Sequence, residues 1–441
     1  MSNRIVDMLR PDADGTEAEA PGIRAKRELH AELVASLDLG VIQSLPRREL
    51  EAQIRQTLTR MVHGRALPMT REQQADAIEE ILDEVLGFGP IQRLLREPGV
   101  TDIMVNGPDT IFVERGGKVE LANVQFRDAK HLMHVIDRIV GSVGRRIDES
   151  SPMVDARLPD GSRFNAIIPP VALDGPMVSI RRFGSSPMRR DDLVALGSVP
   201  QQAMDLLEGC VRAKMNMLIS GGAGSGKTTL LNVLSSFIPE GERVVTVEDA
   251  AELSLQQRHV VRLETRPPNL EGFGQVTARD LLRNALRMRP DRIVIGEIRG
   301  DEAIDMLQAM NTGHEGSIGT IHANSPRHAL SRLETIIGLT TPNLSSVAIR
   351  EMIGDTVNLV LQVQRHTDGR RRLVSIIEIK GIENGHLVTS EIFRFHRTSI
   401  DASGHVVGVH EFSEMDPRLT ARFAEYGVEL PTQPARVRLE A

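Results

Sequence analysis

Apolar residues recur at helical spacing in the first part of the chain. The clearest repeat lies in residues 70–86, where one buried stripe is expected from Ile78, Ile81, Leu82, Val85 and Leu86. Thr70 and Gln73 have the spacing of a capping box, which predicts where this helix begins. We therefore predict an N-terminal helical bundle over residues 22–98.

Strand patterns replace the helical ones near residue 99. Six short runs predict strands: DIMVNG, TIFVERG, GKVEL, MVDARL, RFNAII and MVSIRRF. Between them, residues 128–142 predict a helix whose apolar face is formed by Leu132, Val135, Ile136 and Ile139. We predict a small α+β domain over residues 99–183 and a linker over residues 184–200.

Beyond residue 201, apolar strands alternate with amphipathic helices. The strand runs are MNMLIS, RVVTVE, HVVRLE, RIVIGE and GSIGTI. This alternation is typical of an α/β fold with a largely parallel, buried sheet. After residue 356 the pattern becomes hairpin-like, and a helix is expected to follow Pro417. We predict one α/β domain over residues 201–441 with a β-rich C-terminal extension.

Composition narrows the choice of partners and compartments. The net charge is -7 and aromatic residues make up 3%, a balance that disfavours direct binding of nucleic acid. Cys210 is the single cysteine, so a buried thiol in a reducing compartment is expected. No run approaches the ~20 apolar residues of a membrane-spanning helix. The small, acidic and Pro/Gly-broken residues 1–21 predict a disordered tail.

The strongest chemical signal is a phosphate loop between a predicted strand and a predicted helix. Its residues, with the threonine that follows, are Gly221, Gly222, Ala223, Gly224, Ser225, Gly226, Lys227, Thr228 and Thr229. Glycines allow successive backbone N–H groups to point at phosphate oxygens. Lys227 is expected to reach the β- and γ-phosphates, and the Thr228 hydroxyl to join the shell of a Mg²⁺ ion.

A second acidic strand, RIVIGE, ends in Glu297. We expect this strand beside the phosphate-loop strand, with Glu297 orienting water against the γ-phosphate and lying near the metal ion. Most phosphate-loop ATPases place an Asp before this Glu, and here that position is Gly296. Glu248 and Asp249 likewise end a strand, where ligands of open α/β sheets bind.

Histidines and arginines supply further candidates. His314 and His322 flank the strand run SIGTI, where a γ-phosphate or water-network sensor is expected and a tetrahedral metal site is not.

Four arginines precede the last domain: Arg157, Arg163, Arg181 and Arg182. They either face solvent or reach the nucleotide to neutralise charge on the γ-phosphate. Residues 370–372, three arginines after Thr-Asp-Gly, predict a solvated hairpin turn, with anionic lipid as the alternative contact.

At these residues the sequence resembles the secretion ATPases of the type II and type IV systems, most closely the CpaF branch that serves Tad/Flp pilus assembly. The matching stretches are LPDGSRFNAIIPP, the phosphate loop, TVEDAAELSLQQRHVVRLETRPPN, ALRMRPDRIVIGEIRGDEA and MLQAMNTGHEGSIGTIHANSPRHALSRLE. The resemblance implies a RecA-like motor domain that binds ATP and Mg²⁺.

The resemblance also implies particular roles for residues that match the conserved motifs of the family. Glu248 and Asp249 fall in the aspartate box, Glu297 is the catalytic glutamate, and Arg299 is a further family arginine. His314 and His322 fall in the histidine box, and the four earlier arginines are implied to close over the nucleotide.

The resemblance also implies a biological role. Such proteins form homo-hexameric rings at the cytoplasmic face of the inner membrane, where they act on platform proteins and associate with the membrane only peripherally. Two alternatives stay open: a conjugation-type secretion ATPase or helicase-like motor that acts on nucleic acid, and a nucleotide-gated scaffold with little turnover.

Overall fold

The computed structural model describes residues 21–36, 46–182, 188–268, 272–429 and 438–440. The chain divides into two compact units, residues 1–183 and residues 184–441. The predicted disordered tail therefore lies outside the described residues except for Pro21, which begins the first helix.

The first unit begins with helices, and the first three that the structure describes pack on one another. Their bounds are α1 Pro21–Ser36, α2 Arg47–His63, α3 Arg71–Leu86 and α4 Ile91–Arg96. The capping box is confirmed, because Gln73 N–H donates to the Thr70 side chain and the Gln73 side chain accepts from Thr70 N–H. The apolar stripes meet in a core of Leu29, Leu33, Leu50, Ile54, Leu58, Val62, Ile81 and Leu82.

A six-stranded antiparallel sheet and one helix complete the first unit. The bounds are β1 Val100–Asn106, β2 Thr110–Arg115, β3 Lys118–Leu121, α5 Ala129–Ser142, β4 Met153–Arg157, β5 Arg163–Ile167 and β6 Met177–Arg181. The strand order is β3-β2-β1-β6-β5-β4. The predicted apolar face of α5 is confirmed, since it is buried in one cluster with alternate residues of the strands.

The second unit is built on a ten-stranded sheet. Its strands are β7 Met217–Gly221, β8 Val244–Glu248, β9 Val260–Glu264, β10 Arg292–Ile298, β11 Ile318–His322, β12 Leu359–Arg365, β13 Arg371–Glu383, β14 His386–Ile400, β15 Val406–Phe412 and β16 Arg438–Glu440. The order is β16-β15-β14-β13-β12-β7-β11-β10-β8-β9. Strands β7 to β12 are parallel to their neighbours, and β12 to β16 pair antiparallel. Strands β7 and β8 are buried on both faces, which explains their continuous apolar runs.

Helices cover both faces of this sheet. Their bounds are α6 Arg190–Ala195, α7 Gln201–Arg212, α8 Lys227–Ser235, α9 Ala278–Ala285, α10 Glu302–Asn311, α11 Pro326–Thr340, α12 Ser346–Thr356 and α13 Pro417–Glu425. Helices α7 and α8 lie in one hydrophobic cluster, and α10, α11 and α12 in the other. The predicted linker is wrong for residues 190–200, because Leu193 of α6 and the following Val199 are buried in the first of these clusters. The expected buried thiol is confirmed at Cys210.

Candidate active site

The carboxyl ends of the parallel strands meet at one edge of the sheet. Gly221 at the end of β7 is paired with His322 at the end of β11 and with Val363 near the end of β12. Glu248 ends β8, and Glu297 lies one residue before the end of β10. Ligands of open α/β sheets bind at such an edge.

The order of these strands corrects one expectation. The acidic strand β10 does not lie beside β7, because β11 lies between them and pairs with both. The register of β10 and β11 shifts between Ile295 and Ile298, so the ladder is irregular where Glu297 stands. A local irregularity of this kind re-aims a side chain at the edge of a sheet.

The phosphate loop leads directly into helix α8. Gly226 precedes the helix with φ 98°, a left-handed conformation that a side chain disfavours. Lys227 is the first helical residue, and its Nζ donates to the carbonyl oxygens of Gly221 (3.0 Å) and Gly222 (2.9 Å). Burial lowers the pKa of Lys227, and the nearby Glu297 carboxylate opposes that shift.

Glu297 belongs to a network of charges. Arg299 Nε donates to Glu297 Oε2 at 2.8 Å, and a second guanidinium nitrogen of Arg299 contacts the same oxygen. Arg299 Nη1 also reaches Asp249 Oδ2 at 3.4 Å. The turn that follows is fixed by Glu302, whose carboxylate accepts from the backbone N–H groups of Arg299 and Gly300. This network brings together Glu297, Asp249 and Arg299, which the sequence placed in separate motifs, whereas Glu248 does not take part in it.

Glu248 lies beneath this network and orders the neighbouring turn. It is 3% exposed, and its carboxylate accepts from the backbone N–H groups of Glu252 (2.6 Å) and Leu253 (2.7 Å). Burial raises the pKa of Glu248, although these two hydrogen bonds oppose the shift. A Cβ atom on Gly296 would stand 3.0 Å from Glu248 Cγ. The glycine before Glu297 therefore makes room for Glu248.

The two histidines lie at opposite ends of their strand. His322 ends β11 beside the phosphate loop, whereas His314 precedes β11 by four residues and its Nδ1 contacts the Ala309 carbonyl at 3.2 Å. The expected placement of His314 at the nucleotide is wrong, because residues that flank a strand stand at opposite edges of a sheet.

Three of the four earlier arginines form one row in the first unit. Arg157 is paired with Arg163, and Arg163 with Arg181, across strands β4, β5 and β6. Directly opposed residues of antiparallel strands project from the same face. Arg181 Nε donates to Asp102 Oδ1 at 2.9 Å, which extends the row to β1. Arg182 is outside this row. Its Nη1 donates to the carbonyl oxygens of Glu97 (2.6 Å) and Val100 (3.0 Å).

The predicted solvated turn of arginines is wrong for two of its three members. Arg372 is 7% exposed and donates to both carboxylate oxygens of Asp368, at 3.3 and 3.0 Å. Arg371 Nε donates to the Gly224 carbonyl of the phosphate loop at 2.8 Å, and Arg370 is exposed. No local pattern distinguishes these roles in the sequence, apart from the alternation of faces along a strand.

Two features are absent among the residues that the structure describes. Among them, no three His, Cys, Asp or Glu side chains are grouped so that they could hold a metal ion. Within the same ranges, no helix combines the length and apolar character that crossing a bilayer requires.

The fold and the site together define a class of protein. A strand, a phosphate loop and a helix, with one strand separating the loop strand from the acidic strand, form a RecA-like nucleotide-binding domain. A family profile described as "Type II/IV secretion system protein" matches residues 84–398, and the chain belongs to this family. The members of this family are secretion ATPases, so membership supports ATPase activity in general for this site.

Two known proteins with similar sequences support the assignment, and one solved structure is also similar in sequence. A protein of Mycobacterium tuberculosis (strain H37Rv) is 39% identical over 306 residues, or 68% of this chain and 86% of that protein. The conjugal transfer protein TrbB of Rhizobium radiobacter is 33% identical over 320 residues, or 71% and 92%. Among solved structures, the VirB11 ATPase of the Brucella suis type IV secretion system is 29% identical over 65% of this chain and 94% of that chain, with a TM-score of 0.35.

Proposed function

We propose that this protein is an ATP-hydrolysing motor that works as a homo-hexameric ring and powers pilus assembly or protein secretion through inner-membrane platform proteins. The observation that carries the proposal is the common sheet edge of the phosphate loop, Glu297 and His322. A phosphate-binding loop and a carboxylate at one edge are what attack of water on a γ-phosphate requires. The motif resemblance to CpaF-type ATPases supports the pilus role, the ring and the position at the cytoplasmic face of the membrane.

The chain's own residues divide the work of hydrolysis. Lys227 binds the β- and γ-phosphates, Glu297 orients the attacking water, and His322 contacts the γ-phosphate or that water. Glu248 orders the turn beneath Glu297 and so acts as a positioning residue. Arg299, which bonds to Glu297 and contacts Asp249, sets the position of the catalytic carboxylate.

The donor set fits a magnesium ion that binds together with nucleotide phosphates. Thr228 offers a hydroxyl and Glu297 a carboxylate, and magnesium commonly takes one or two protein ligands besides phosphates and waters. The ion would neutralise charge on the β- and γ-phosphates. The arginine row of Arg157, Arg163 and Arg181 is a second source of positive charge, which we propose stabilises the transition state together with Arg182.

Conjugation-type secretion is the second candidate function. It is favoured by relatives named for conjugal transfer in Rhizobium radiobacter and for type IV secretion in Bordetella pertussis, the latter 34% identical over 312 residues. The net charge of -7 argues against direct contact with nucleic acid. A DNA-binding measurement at 50 and 200 mM salt separates the two, since a phosphate-binding surface loses affinity steeply over that range. A nucleotide-gated scaffold is disfavoured by the presence of both Lys227 and Glu297.

Nucleotide binding tests the proposal at its first step. We expect Lys227→Ala to reduce the affinity for MgATP at least ~10-fold and to abolish turnover, because the ammonium is the point charge that meets the phosphates. Lys118→Ala, in the exposed strand β3, is the matched control and should behave as wild type. Titration of a fluorescent ATP analogue measures the affinity, phosphate release measures turnover, and light scattering compares the mass with that of the 48.6 kDa monomer.

Two results would contradict the proposal. Equal affinities for MgATP in wild type and Lys227→Ala would show that the phosphate loop does not bind the nucleotide. A monomeric mass at all protein and nucleotide concentrations would show that the protein does not form a ring.

A further inference from the structure

Arg371 lies against the phosphate loop from a distant part of the chain. Its Nε donates to the Gly224 carbonyl at 2.8 Å, and a Cβ atom on Gly226 would stand 3.4 Å from Arg371 Cδ. The side chain therefore crosses the second half of the loop, next to Lys227. None of the roles given above to the loop accounts for a guanidinium in this position.

The strand register explains how the arginine reaches the loop. Strand β12 runs parallel to β7, so its end stands at the edge where the loop begins, and Arg365 at that end is paired with Arg371. Successive residues of a strand point to opposite faces. Arg372 therefore turns away from Arg371, into the core of the C-terminal hairpins.

Arg372 and Asp368 fix the turn that presents Arg371. Asp368 accepts from Arg372, from Arg370 N–H (3.0 Å) and from Val406 N–H (2.9 Å). Burial opposes ionisation of Asp368, but the hydrogen bonds from Arg372 and the two backbone groups keep the pKa of this carboxyl well below its usual range. The turn is thus held by a buried ion pair and two backbone hydrogen bonds, which limits the positions open to Arg371.

We propose that Arg371 is a positioning residue of the nucleotide site, which holds the phosphate loop in its binding shape and strengthens its grip on the β-phosphate. This inference rests on the proposed function, since it concerns the same nucleotide. A charged donor on the Gly224 carbonyl polarises the peptide group between Gly224 and Ser225 and makes its N–H a stronger donor. The positive charge of Arg371 also favours a ligand that carries several negative charges.

The test compares a ligand that carries the β-phosphate and its Mg²⁺ with one that lacks both. Calorimetric titration of the full-length protein with MgADP and with AMP is made for wild type, Arg371→Gln and Arg371→Lys. Arg370→Gln is the matched control, because it removes the neighbouring charge, which is exposed. We expect Arg371→Gln to weaken MgADP binding about 10-fold and AMP binding less than 2-fold, a loss typical of one charge-assisted hydrogen bond.

The conservative variant and the stability of the protein complete the test. Arg371→Lys keeps the charge and N–H donors but not the planar guanidinium, so we expect it to recover part of the MgADP affinity. The melting temperature without nucleotide should differ by less than 2 °C between Arg371→Gln and Arg370→Gln, which separates positioning of the loop from loss of fold.

The possible failures are distinguishable. If wild type binds MgADP and Lys227→Ala does not, but Arg371→Gln binds as Arg370→Gln does, this inference alone is overturned. Equal losses for AMP and MgADP would also overturn it, since they would place the effect away from the β-phosphate. Absence of MgADP binding by wild type would instead overturn the proposed function.

Discussion

At the scale of single residues, Gly296 packs closely against the side chain of Glu248. The glycine stands where most phosphate-loop ATPases carry an aspartate, and the space that a side chain would need is taken by Glu248 Cγ, 3.0 Å from a Cβ at residue 296. Glu248 is held in place by two backbone N–H groups and cannot withdraw without breaking them. Packing against Glu248 therefore explains why position 296 carries a glycine and not an aspartate.

Gly296→Asp is therefore expected to destabilise the second unit and to lower ATP hydrolysis. Overpacking at such a site costs about 1–3 kcal/mol, and the new carboxylate adds a third negative charge beside Glu248 and Glu297. Chemical denaturation and steady-state turnover measure the two effects. Gly241→Ala is the control, because a Cβ there meets no atom within 4 Å. A Gly296→Asp protein as stable and as active as wild type would contradict this account.

The residues of the site differ in how far the sequence could predict them. Lys227 and Glu297 lie in local motifs, where residue type and neighbouring strand pattern indicate the chemistry. Arg371 is separated from its partner Gly224 by 147 positions, and its neighbours Arg370 and Arg372 have the same charge. Only the register of β12 and β13 decides which of the three arginines meets the loop.

At the scale of elements, one cluster of charges joins α3 to α5 in the first unit. His131 Nε2 donates to Glu84 Oε2 at 2.9 Å, and Arg138 Nη1 donates to the Glu84 carbonyl at 2.6 Å. Burial raises the pKa of Glu84, but the hydrogen bond from His131 and the nearby charges of His131, Arg127 and His30 together outweigh that effect and leave the pKa below its ordinary value of 4.5. The helical part and the sheet of this unit are thus connected through an ionised carboxylate.

Glu84→Gln is expected to lower the free energy of unfolding of the first unit by about 1–3 kcal/mol near neutral pH, since a hydrogen bond to a charged group is lost. Because the folded pKa is depressed, the contribution of Glu84 is present above pH 4.5 and disappears as the pH falls below that value. Urea denaturation at several pH values measures the difference. Asp76→Asn, an exposed change in the same helix, should show no such pH dependence. A difference that grows as the pH falls would contradict the assignment.

Elements were more predictable in type than in order. The periodicity of residues 70–86 and 128–142 was sufficient for two helices, because one face of each is buried. The place of β11 between β7 and β10 could not be predicted, since sequence order does not determine which parallel strands are neighbours. The direction of β11 separates His314 from the nucleotide edge, because His314 precedes the strand and His322 ends it.

At the scale of the whole molecule, the candidate groups for the proposed reaction are divided between the two units. The second unit carries the phosphate loop, Glu297 and Arg371, whereas the first carries the row of Arg157, Arg163 and Arg181. The proposed ring makes activity depend on the assembly of the subunits. We therefore expect hydrolysis per protomer to rise with protein concentration as the ring assembles.

The most direct test of the central claim is steady-state ATP hydrolysis against protein concentration, for wild type beside Glu297→Gln. Glu240→Gln, an exposed glutamate at the other edge of the sheet, is the matched control. The account predicts that wild type and control gain activity per protomer on assembly. It predicts a loss of at least ~100-fold in Glu297→Gln, or roughly 2.7 kcal/mol of transition-state stabilisation, with MgATP binding retained. Equal rates in wild type and Glu297→Gln across the concentration range would contradict the assignment of Glu297 to the chemistry.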